Sequence, residues 1–484
     1  EKVHLKKVSG LNSDGLWYVY GSIDGKRLEI KRHKRHSILE HFFFFFFFLY
    51  SGRTPAAIET PFAANTKFAF DIFSTLPKGT NTFISPLSIS AALALTLLGA
   101  RGTTETNMKE VMNLSDLKDV HATFGNLTGI LNRTTADYVL RLANRLFGME
   151  GYNFLEPFLA DCKSQYGAEL KSLDFRNEAA SRKTINDWVE KQTEDKIKDL
   201  IKPDVLTEET ALVLVNAIYF KGTWKNPFEK RATRKQLFHL SAKEQVQVDM
   251  MFQGEFARWG YFDQHGCQVI ELPYGKAEDL SMVFLVPLEI EGLAALEKKL
   301  TVGLLDEITK KLSSSKLDIN IPKFKFDFEM NLGDVLVKMG MGELFTRGKA
   351  NLSGMDGTNR LYISAAVHKA FIDVNEEGTE AAAATGMMAV AMCMPPQFIA
   401  DRPFLFYIRD NTTKSVLFMG RVHKPDSPRY MQKYEDPIEQ VRQQPLSVLL
   451  CMELGHSGKF KHVQRHKTAC SLLKVTMPVW SVQL

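Results

Sequence analysis

The stretch EEGTEAAAATGMMAVAMCMPP, residues 376–396, decides how the rest of the sequence is interpreted. Beyond its opening EEGT it is a long run of small and flexible residues that contains one charged side chain, Glu380. Alanine is the best helix former, so the run is compatible with a helix that ends at the Pro395–Pro396 pair. It is equally compatible with a buried strand of small residues. Neither structure accounts for the turn with like charges, EEGTE, that leads straight into the run.

The composition is that of a globular protein with a large core. The chain has 484 residues, of which 45% are hydrophobic and 24% are charged, and its net charge is +5. The positive charge lies in the flanks: residues 1–60 have ten Lys or Arg against six Asp or Glu, and residues 426–484 have eight against five. Residues 61–425 therefore carry a net charge of −2. This value argues against a surface built for nucleic acid or for an anionic membrane.

The cysteines are too scattered for a disulfide framework or a zinc site. They are odd in number and contain no CxxC pair: Cys162, Cys267, Cys393, Cys451 and Cys470. A reducing compartment fits this usage, so the cytoplasm is the expected location. Release outside the cell by a non-classical route is a further expectation. We expect no metal and no other cofactor.

The two ends of the chain differ from its middle. A basic hexamer, KRHKRH at 31–36, precedes an apolar run of about nine residues that includes seven phenylalanines, which is too short to span a bilayer. We predict that residues 1–60 lie outside the fold and are either disordered or an artefact of the gene model. Residues 426–484 have no clean periodicity, and we predict a C-terminal extension outside the fold there. The folded domain is expected at residues 61–425.

The middle of the chain is regular, with helices concentrated early and strands late. Residues 85–104 begin with a Ser-Pro cap signal and continue with apolar residues at helical spacing, and residues 182–201 show a second amphipathic pattern. The apolar, β-branched run at 211–224 is typical of a central strand that is buried on both faces. Further strands are predicted at 280–288, 316–328 and 416–425. This order predicts an α+β fold rather than repeating βαβ units.

No motif in the sequence assembles a catalytic centre. GHSGK at 455–459 has a lysine where the GxSxG nucleophile elbow requires its second glycine. GMGELFTRGKA at 340–350 fails as a phosphate-binding loop because Glu343 and Ala350 replace required residues. HExxH is absent, and we interpret His368, inside the apolar stretch AAVHKA, as a core histidine with a satisfied hydrogen bond. We therefore do not expect an enzyme.

Four segments together resemble the serpin family. They are FISPLSISAALALTLLGARG, LVLVNAIYFKGTW, AAVHKAFIDVNEEGTEAAAAT and ADRPFLFYIRDNTTKSVLFMGRV. Residues 63–73, AANTKFAFDIF, resemble the start of the ovalbumin-type intracellular branch of that family. The likeness covers about 365 residues in the order that the family has them, and neither flank takes part in it. It implies a serpin fold, with a mixed central β-sheet, helices, and an exposed reactive-centre loop that can insert into the sheet as a strand.

The resemblance implies an inhibitor of serine proteases that acts as a suicide substrate. The loop is bait, the protease's serine forms an acyl bond with it, and insertion of the loop then distorts the trapped protease. The residues themselves permit insertion, because alternate residues of a strand face opposite sides. One face would carry mostly small residues, namely Thr379, Ala381, Ala383, Thr385, Met387, Ala389 and Ala391. The other would carry Glu380, Ala382, Ala384, Gly386, Met388, Val390 and Met392.

The family's spacing places the reactive bond between Met392 and Cys393. The same resemblance implies a hinge formed by Glu377, Gly378, Thr379, Glu380, Ala381, Ala382, Ala383, Ala384 and Thr385. Methionine suits the specificity pockets of elastase-like or chymotrypsin-like serine proteases, and cysteine cathepsins are a second class of expected partner. A reactive bond one residue later, after Cys393, stays open. We expect a monomer that binds neither nucleic acid nor membranes.

Five further positions match the family's buried polar cluster and the point where the loop first enters the sheet. The cluster positions are Ser85, Ser88, Asn216 and His368, and the sheet-opening position is Trp224. Ordinary roles as a cap, a ladder asparagine or a packed indole explain them almost as well.

Two functions stay open at this point. One is an inhibitory serpin, and the other is a non-inhibitory relative that acts as a storage, carrier or chaperone protein on the same fold. The hinge favours inhibition, because residue 379 is threonine and residues 381–384 are four alanines. A bulky or charged side chain at these positions would block insertion.

Overall fold

The computed structural model describes residues 4–6, 17–23, 26–32, 61–131, 134–379, 395–425 and 430–431. The helices within them are α1 (Pro61–Thr75), α2 (Pro86–Leu97), α3 (Gly102–Val111), α4 (Val120–Leu131), α5 (Glu156–Tyr166), α6 (Glu178–Gln192), α7 (Leu293–Lys299), α8 (Val302–Lys311), α9 (Leu332–Lys338) and α10 (Ser353–Asp356). Short 3-10 helices lie at Lys230–Ala232, Asp263–His265 and Gly342–Phe345.

The strands within the same residues span both the early and the late parts of the chain. They are β1 (His4–Lys6), β2 (Trp17–Ile23), β3 (Lys26–Arg32), β4 (Thr82–Ile84), β5 (Tyr138–Met149), β6 (Lys171–Leu173), β7 (Leu212–Thr223), β8 (Arg234–His239), β9 (Gln245–Phe262), β10 (Cys267–Tyr274), β11 (Leu280–Pro287), β12 (Ser313–Pro322), β13 (Phe324–Asn331), β14 (Ile363–Val374), β15 (Gly378–Thr379), β16 (Gln397–Ile399), β17 (Phe404–Asp410), β18 (Val416–Val422) and β19 (Tyr430–Met431).

These strands form three sheets. The central sheet has the order β19-β13-β14-β7-β5-β6, with β15 paired to β7. The second sheet has the order β16-β12-β9-β10-β11-β17-β18-β4, with β8 paired to β9. Strands β1, β2 and β3 form a separate antiparallel sheet within residues 1–60, so part of the segment predicted as disordered or artefactual has regular pairing. The limits of the folded domain at residues 61 and 425 stay a prediction.

Strand β7 is the centre of the fold. Every side chain from Leu212 to Phe220 is buried, and β7 pairs antiparallel with β5 on one edge and parallel with β14 on the other. A strand buried on both faces has a nearly continuous apolar sequence, which confirms the prediction for 211–224. The strands predicted at 280–288 and 416–425 are likewise confirmed, as β11 and β18.

Helix α2 lies between the two large sheets. All of its residues are buried, and it contacts β5 and β7 of the central sheet and β18 of the second sheet. The Ser85 side chain caps its first turn by accepting the Ser88 backbone N–H, and Pro86 occupies the first helical position, as the Ser-Pro signal predicted. The helix ends at Leu97, and the rest of the predicted segment 85–104 leads into α3.

Helix α6 covers the opposite face of the central sheet. The prediction of a helix over 182–201 was correct for its first part and wrong for its end, because α6 ends at Gln192. Glu194 and Asp195 have left-handed φ angles of 52° and 60°, which a right-handed helix cannot contain. The apolar spacing continues because residues beyond the helix, such as Ile197, pack on the same face of β7 and β14.

The strand predicted at 316–328 is two strands in two different sheets. β12 pairs with β9 as far as Pro322, and β13 starts at Phe324 and pairs with β14. Proline has no N–H with which to extend a ladder, and the backbone N–H of Lys323 donates to the carbonyl of Asp249 at 2.8 Å. Alternation of apolar residues persists across this crossing, so the sequence pattern does not reveal the change of sheet.

Candidate functional site

Four of the predicted site residues meet at the seam between β7 and β14. We call Ser85, Ser88, Asn216 and His368 the seam cluster; all four are fully buried. His368 lies opposite Asn216 in the parallel register, and His368 Nδ1 is hydrogen-bonded to Asn216 Oδ1. Asn216 Nδ2 donates to Ser88 Oγ at 2.5 Å. The Ser85 backbone N–H donates to His368 Nε2 at 3.4 Å, so the cluster is continuous across the seam.

His368 is neutral and carries its proton on Nδ1. Because Nε2 accepts the Ser85 N–H, Nδ1 must hold the hydrogen that it donates to Asn216. Burial lowers the pKa of His368 to about 3. Both ring nitrogens are hydrogen-bonded, which confirms the interpretation of His368 as a core histidine with satisfied hydrogen bonds.

Asn144 on β5 joins the seam cluster, although the sequence did not point to it. Its Oδ1 accepts from Asn216 Nδ2, and its own Nδ2 donates to the Ser88 carbonyl at 3.1 Å. The only sequence signal is an asparagine within a strand pattern, which does not distinguish a buried amide from a surface amide. Asn216 is thus held by Ser88 and Asn144 on its own side of the seam. Besides the backbone ladder between β7 and β14, the hydrogen bonds of the cluster that reach β14 are those of the His368 ring.

The wild-type protein is expected to lose stability as the pH falls below 6.5 because of His368. The unfolded chain binds a proton near the ordinary pKa of 6.5, whereas the folded state, with a pKa of about 3, does not. The stability that depends on the neutral ring is therefore complete above pH 6.5 and is lost as the pH falls toward 3. The slope is about 1.4 kcal/mol per pH unit.

Urea denaturation at a series of pH values measures this slope as the free energy of the first unfolding transition. His368→Gln keeps a neutral polar side chain at the position and should lower the slope between pH 3 and 6.5 by about 1.4 kcal/mol per pH unit. Carboxylate groups titrate alike in both proteins, so their contributions cancel when the slope of the variant is subtracted from that of the wild type. Equal slopes for wild type and His368→Gln would contradict the expectation.

Beyond β14 the chain is held to the segment that follows β7. Trp224 Nε1 donates to the carbonyl of Asn375 at 3.0 Å, and the Trp224 backbone N–H donates to the carbonyl of Glu377 at 3.0 Å. The backbone N–H of Phe228 donates to the carbonyl of Glu376 at 2.7 Å. Trp224, predicted at the sheet-opening position, therefore makes one hydrogen bond to Asn375, just before the predicted hinge, and one to Glu377, its first residue.

Two carboxylates add ion pairs to these backbone contacts. Glu376 is buried, accepts from Lys323 Nζ at 2.9 Å and accepts from Thr233 Oγ1 at 2.7 Å. Burial alone would raise the pKa of Glu376, but the hydrogen bonds from Lys323 and Thr233 outweigh burial and lower it. Glu377 pairs with Lys230 at 2.6 Å, near the surface. The sequence did not point to Lys323, because its partner lies 53 positions away.

Gly378 reverses the direction of the chain at the seam. Its φ is +135°, and it forms a tight bridge with Asn375, in which each backbone N–H donates to the other carbonyl. Strand β15 then runs antiparallel to β7, with Gly378 opposite Thr223 and Thr379 opposite Gly222. At Gly222 the other edge of β7 is occupied by β5, so β15 lies on the β14 side of β7. The chain therefore turns back along the seam edge.

The remaining predicted positions of the hinge and of the reactive bond lie outside the described residues. They are Glu380, Ala381, Ala382, Ala383, Ala384, Thr385, Met392 and Cys393. The described chain resumes at Pro395, and β16 pairs parallel with β12 in the second sheet. The Asp318 backbone N–H donates to the Pro396 carbonyl at 2.9 Å. The two ends of the segment thus belong to different sheets.

The described residues offer neither a metal-binding cluster nor an exposed thiol. These residues contain no group of three or more His, Cys, Asp or Glu that could hold a metal ion. Cys162 and Cys267 are buried free thiols, and burial raises their pKa to about 12 and about 11. None of the described helices is both long and apolar enough to cross a membrane.

Comparisons with known proteins agree with one another. Residues 63–425 match the family described as Serpin (serine protease inhibitor). The leukocyte elastase inhibitors of Sus scrofa and Homo sapiens are 47% and 45% identical over 376 residues, which cover 75% of this chain and 99% of each relative. The crystal structure of uncleaved ovalbumin is similar with a TM-score of 0.70 and 32% identity, over 76% of this chain and 100% of ovalbumin. Human thyroxine-binding globulin is similar with the same TM-score and identity, over 76% and 99% of the two chains.

Proposed function

Because the chain belongs to the serpin family, we propose that it traps elastase-like or chymotrypsin-like serine proteases by acting as their suicide substrate. The observation that carries the proposal is β15, which runs antiparallel to β7 on the edge where β14 would have to separate. A non-inhibitory storage, carrier or chaperone role is not favoured. The relatives with 45–47% identity are named as elastase inhibitors, and the hinge has small side chains at 379 and 381–384.

The pairing of β15 supplies a register for insertion. Each further loop residue would lie opposite the residue one position earlier in β7. Continued in this way, three loop residues would face core-facing positions of β7: Ala381 opposite Phe220, Ala383 opposite Ile218 and Thr385 opposite Asn216. These positions of β7 point toward α2 and the main core. The face of the loop that carries the smaller side chains would therefore be the face that enters beneath α2.

Insertion in this register would replace the seam contacts by new ones. Thr385 would take the place that His368 has opposite Asn216, so the hydrogen bonds of the His368 ring across the seam would break. Breaking each of these two hydrogen bonds, to Asn216 and to Ser85, costs about 1 kcal/mol net. A new strand from Gly378 to Met392 would form about a dozen ladder hydrogen bonds, which at ~1 kcal/mol each supply about 10 kcal/mol. This gain exceeds the cost of the two His368 hydrogen bonds, and the ladder bonds between β7 and β14 would be exchanged for bonds from each strand to the new one.

Met392–Cys393 is the proposed reactive bond, with a bond after Cys393 as the alternative. Methionine is unbranched and apolar, which suits a medium-sized hydrophobic specificity pocket. Cysteine cathepsins are a secondary class of proposed target. We propose that the inhibitor is a monomer located in the cytoplasm, with non-classical release as a second location, and that residues 61–425 form the inhibitory domain.

The proposal is tested by mixing the full chain with neutrophil elastase and, separately, with chymotrypsin. A covalent complex should appear on denaturing gels at the summed mass of inhibitor and protease. The peptide released from the complex should begin at Cys393, and a peptide that begins at Met394 would support the alternative bond. Cleavage of the chain by both proteases without any complex would overturn the inhibitory proposal.

A further inference from the structure

A cavity of about 580 Å³ opens beside Trp224, outside the seam and the hinge. Its walls come from β9, β10 and β12 and from the turn between β17 and β18. One side is charged and the other is apolar, and Trp224 is the one lining residue that the proposed inhibitory function also uses. Ligand sites in proteins have volumes of roughly 300–1,000 Å³ and combine an apolar lining with a few polar groups, so the cavity has the size and character of such a site.

The charged side is built around one buried carboxylate, Glu271. Arg258 Nη1 donates to Glu271 Oε2, and Arg409 Nη2 donates to Glu271 Oε1 at 2.5 Å. Glu271 and Arg409 are both more than nine-tenths buried. Arg409 Nε also donates to Asn411 Oδ1 at 3.2 Å, and Asn411 Nδ2 donates to Ser281 Oγ at 2.7 Å. These hydrogen bonds fix the two guanidinium groups in position before any ligand arrives.

A third cation, Lys414, completes this side at the mouth of the cavity. Its backbone has a left-handed φ of 64°, and its Nζ donates to the Asn411 carbonyl. Among the described residues, no carboxylate lies within ion-pair distance of Lys414 Nζ. Partial burial and the neighbouring Arg409 lower the pKa of Lys414, as expected where positive charge accumulates. Arg258, Arg409 and Lys414 thus bring three positive charges to this side, and Glu271, which pairs with the two arginines, supplies one negative charge.

Two further carboxylates, Glu255 and Glu278, line the cavity. Glu278 pairs with Lys225, and Glu255 accepts from Asn226 Nδ2 at 3.3 Å. The lining therefore carries four cations, Lys225, Arg258, Arg409 and Lys414, against three carboxylates, Glu255, Glu271 and Glu278, which is an excess of one positive charge.

The apolar side ends in an exposed aromatic ring. Trp224, Leu272 and Ile319 form its buried part, and the Trp224 ring stacks on Tyr274 with centroids 4.5 Å apart. Phe256 lies at the rim with 66% of its surface exposed, although strand β9 offers buried positions on its other face. A ligand with an apolar body would cover this ring and gain from its burial.

We propose that this cavity binds a small organic anion, with a carboxylate or sulfonate group facing Arg409 and Lys414 and an aromatic or apolar body against Phe256 and Ile319. The site stands on its own geometry and does not depend on protease inhibition. Guanidinium groups bind carboxylate and sulfonate oxygens through charge-assisted hydrogen bonds, and a partly enclosed site strengthens them.

The probe for the test is 1-anilinonaphthalene-8-sulfonate, whose fluorescence reports transfer to an apolar site. The full chain should bind it saturably at one site. Lys414→Gln and Phe256→Ser should each raise the dissociation constant about fivefold to tenfold, through loss of one charge-assisted contact or of apolar cover. Both residues are exposed, so neither substitution removes core packing. Circular dichroism confirms that each variant is folded.

Two controls make the result specific. Lys183→Gln removes an exposed lysine of α6 that does not line the cavity, and should leave binding unchanged. The neutral analogue N-phenyl-1-naphthylamine should bind about tenfold more weakly than the sulfonate and should not respond to Lys414→Gln. Absence of saturable binding, or equal affinity in wild type, Lys414→Gln and Phe256→Ser, would overturn the proposal.

Discussion

Thr385→Arg is expected to turn the protein from an inhibitor into a substrate. In the register set by β15, residue 385 would arrive opposite Asn216, among fully buried groups of the seam cluster. An arginine there would bring an unpaired charge into the core, at a cost of several kilocalories per mole. Insertion would stall before the acyl bond is distorted, and the protease would complete hydrolysis. The yield of covalent complex should fall by about tenfold or more.

The matched control is Glu380→Arg. In the same register residue 380 would lie opposite Lys221, which is only partly buried, on the face that already carries a charged side chain. Complex formation should stay within about twofold of wild type, since exposed ion pairs contribute little. Both variants are mixed with elastase, and the ratio of complex to cleaved chain is read from denaturing gels. Comparable loss of complex in both, or in neither, would show that the register is wrong.

Gly378→Ala is expected to cost about 3 kcal/mol or more in the stability of the native state. A Cβ atom at this position would lie 2.2 Å from the Gly222 carbonyl oxygen and 2.7 Å from the Trp224 backbone nitrogen. Both are main-chain atoms of β7 or of the residue after it, so neither can rotate away. The φ of +135° adds strain for any residue with a Cβ. The free energy of the first unfolding transition in urea measures the loss.

Gly340→Ala separates backbone strain from the clash. Gly340 also has a positive φ, +103°, but a Cβ there would meet nothing within 4 Å. This variant should lose about 1 kcal/mol, the cost of the conformation alone. Equal losses at 340 and 378 would mean that the contact between Gly378 and Gly222 does not hold in solution.

Local sequence signals were sufficient for much of the fold. The Ser-Pro pair located the cap of α2 because a hydroxyl before proline satisfies the first turn of a helix. The long apolar run at 211–224 located β7 because only a strand buried on both faces needs such a sequence. His368 was interpreted correctly as a satisfied core residue, since a histidine among apolar neighbours has to be hydrogen-bonded.

The failures share a physical cause. Apolar spacing reports which side of a segment is buried but not whether its backbone stays regular, so α6 was extended past Gln192 and β12 was joined to β13. Asn144 and the Lys323–Glu376 pair depend on contacts between distant segments, and no local pattern encodes them. The register at Gly378 likewise emerges only when β7 is present as its partner.

The two ends of the loop belong to different sheets, and this determines how many molecules of the inhibitor a given amount of protease uses up. Thr379 is paired with the central sheet, and Pro396 is hydrogen-bonded to Asp318 of β12 in the second sheet. After cleavage by a protease, each new terminus stays with its own sheet, and insertion carries one of them further away. On the proposed mechanism each molecule is therefore consumed in a single encounter. Protection would be limited by the number of copies present, so a cell could respond to a larger protease load only by making more of the chain.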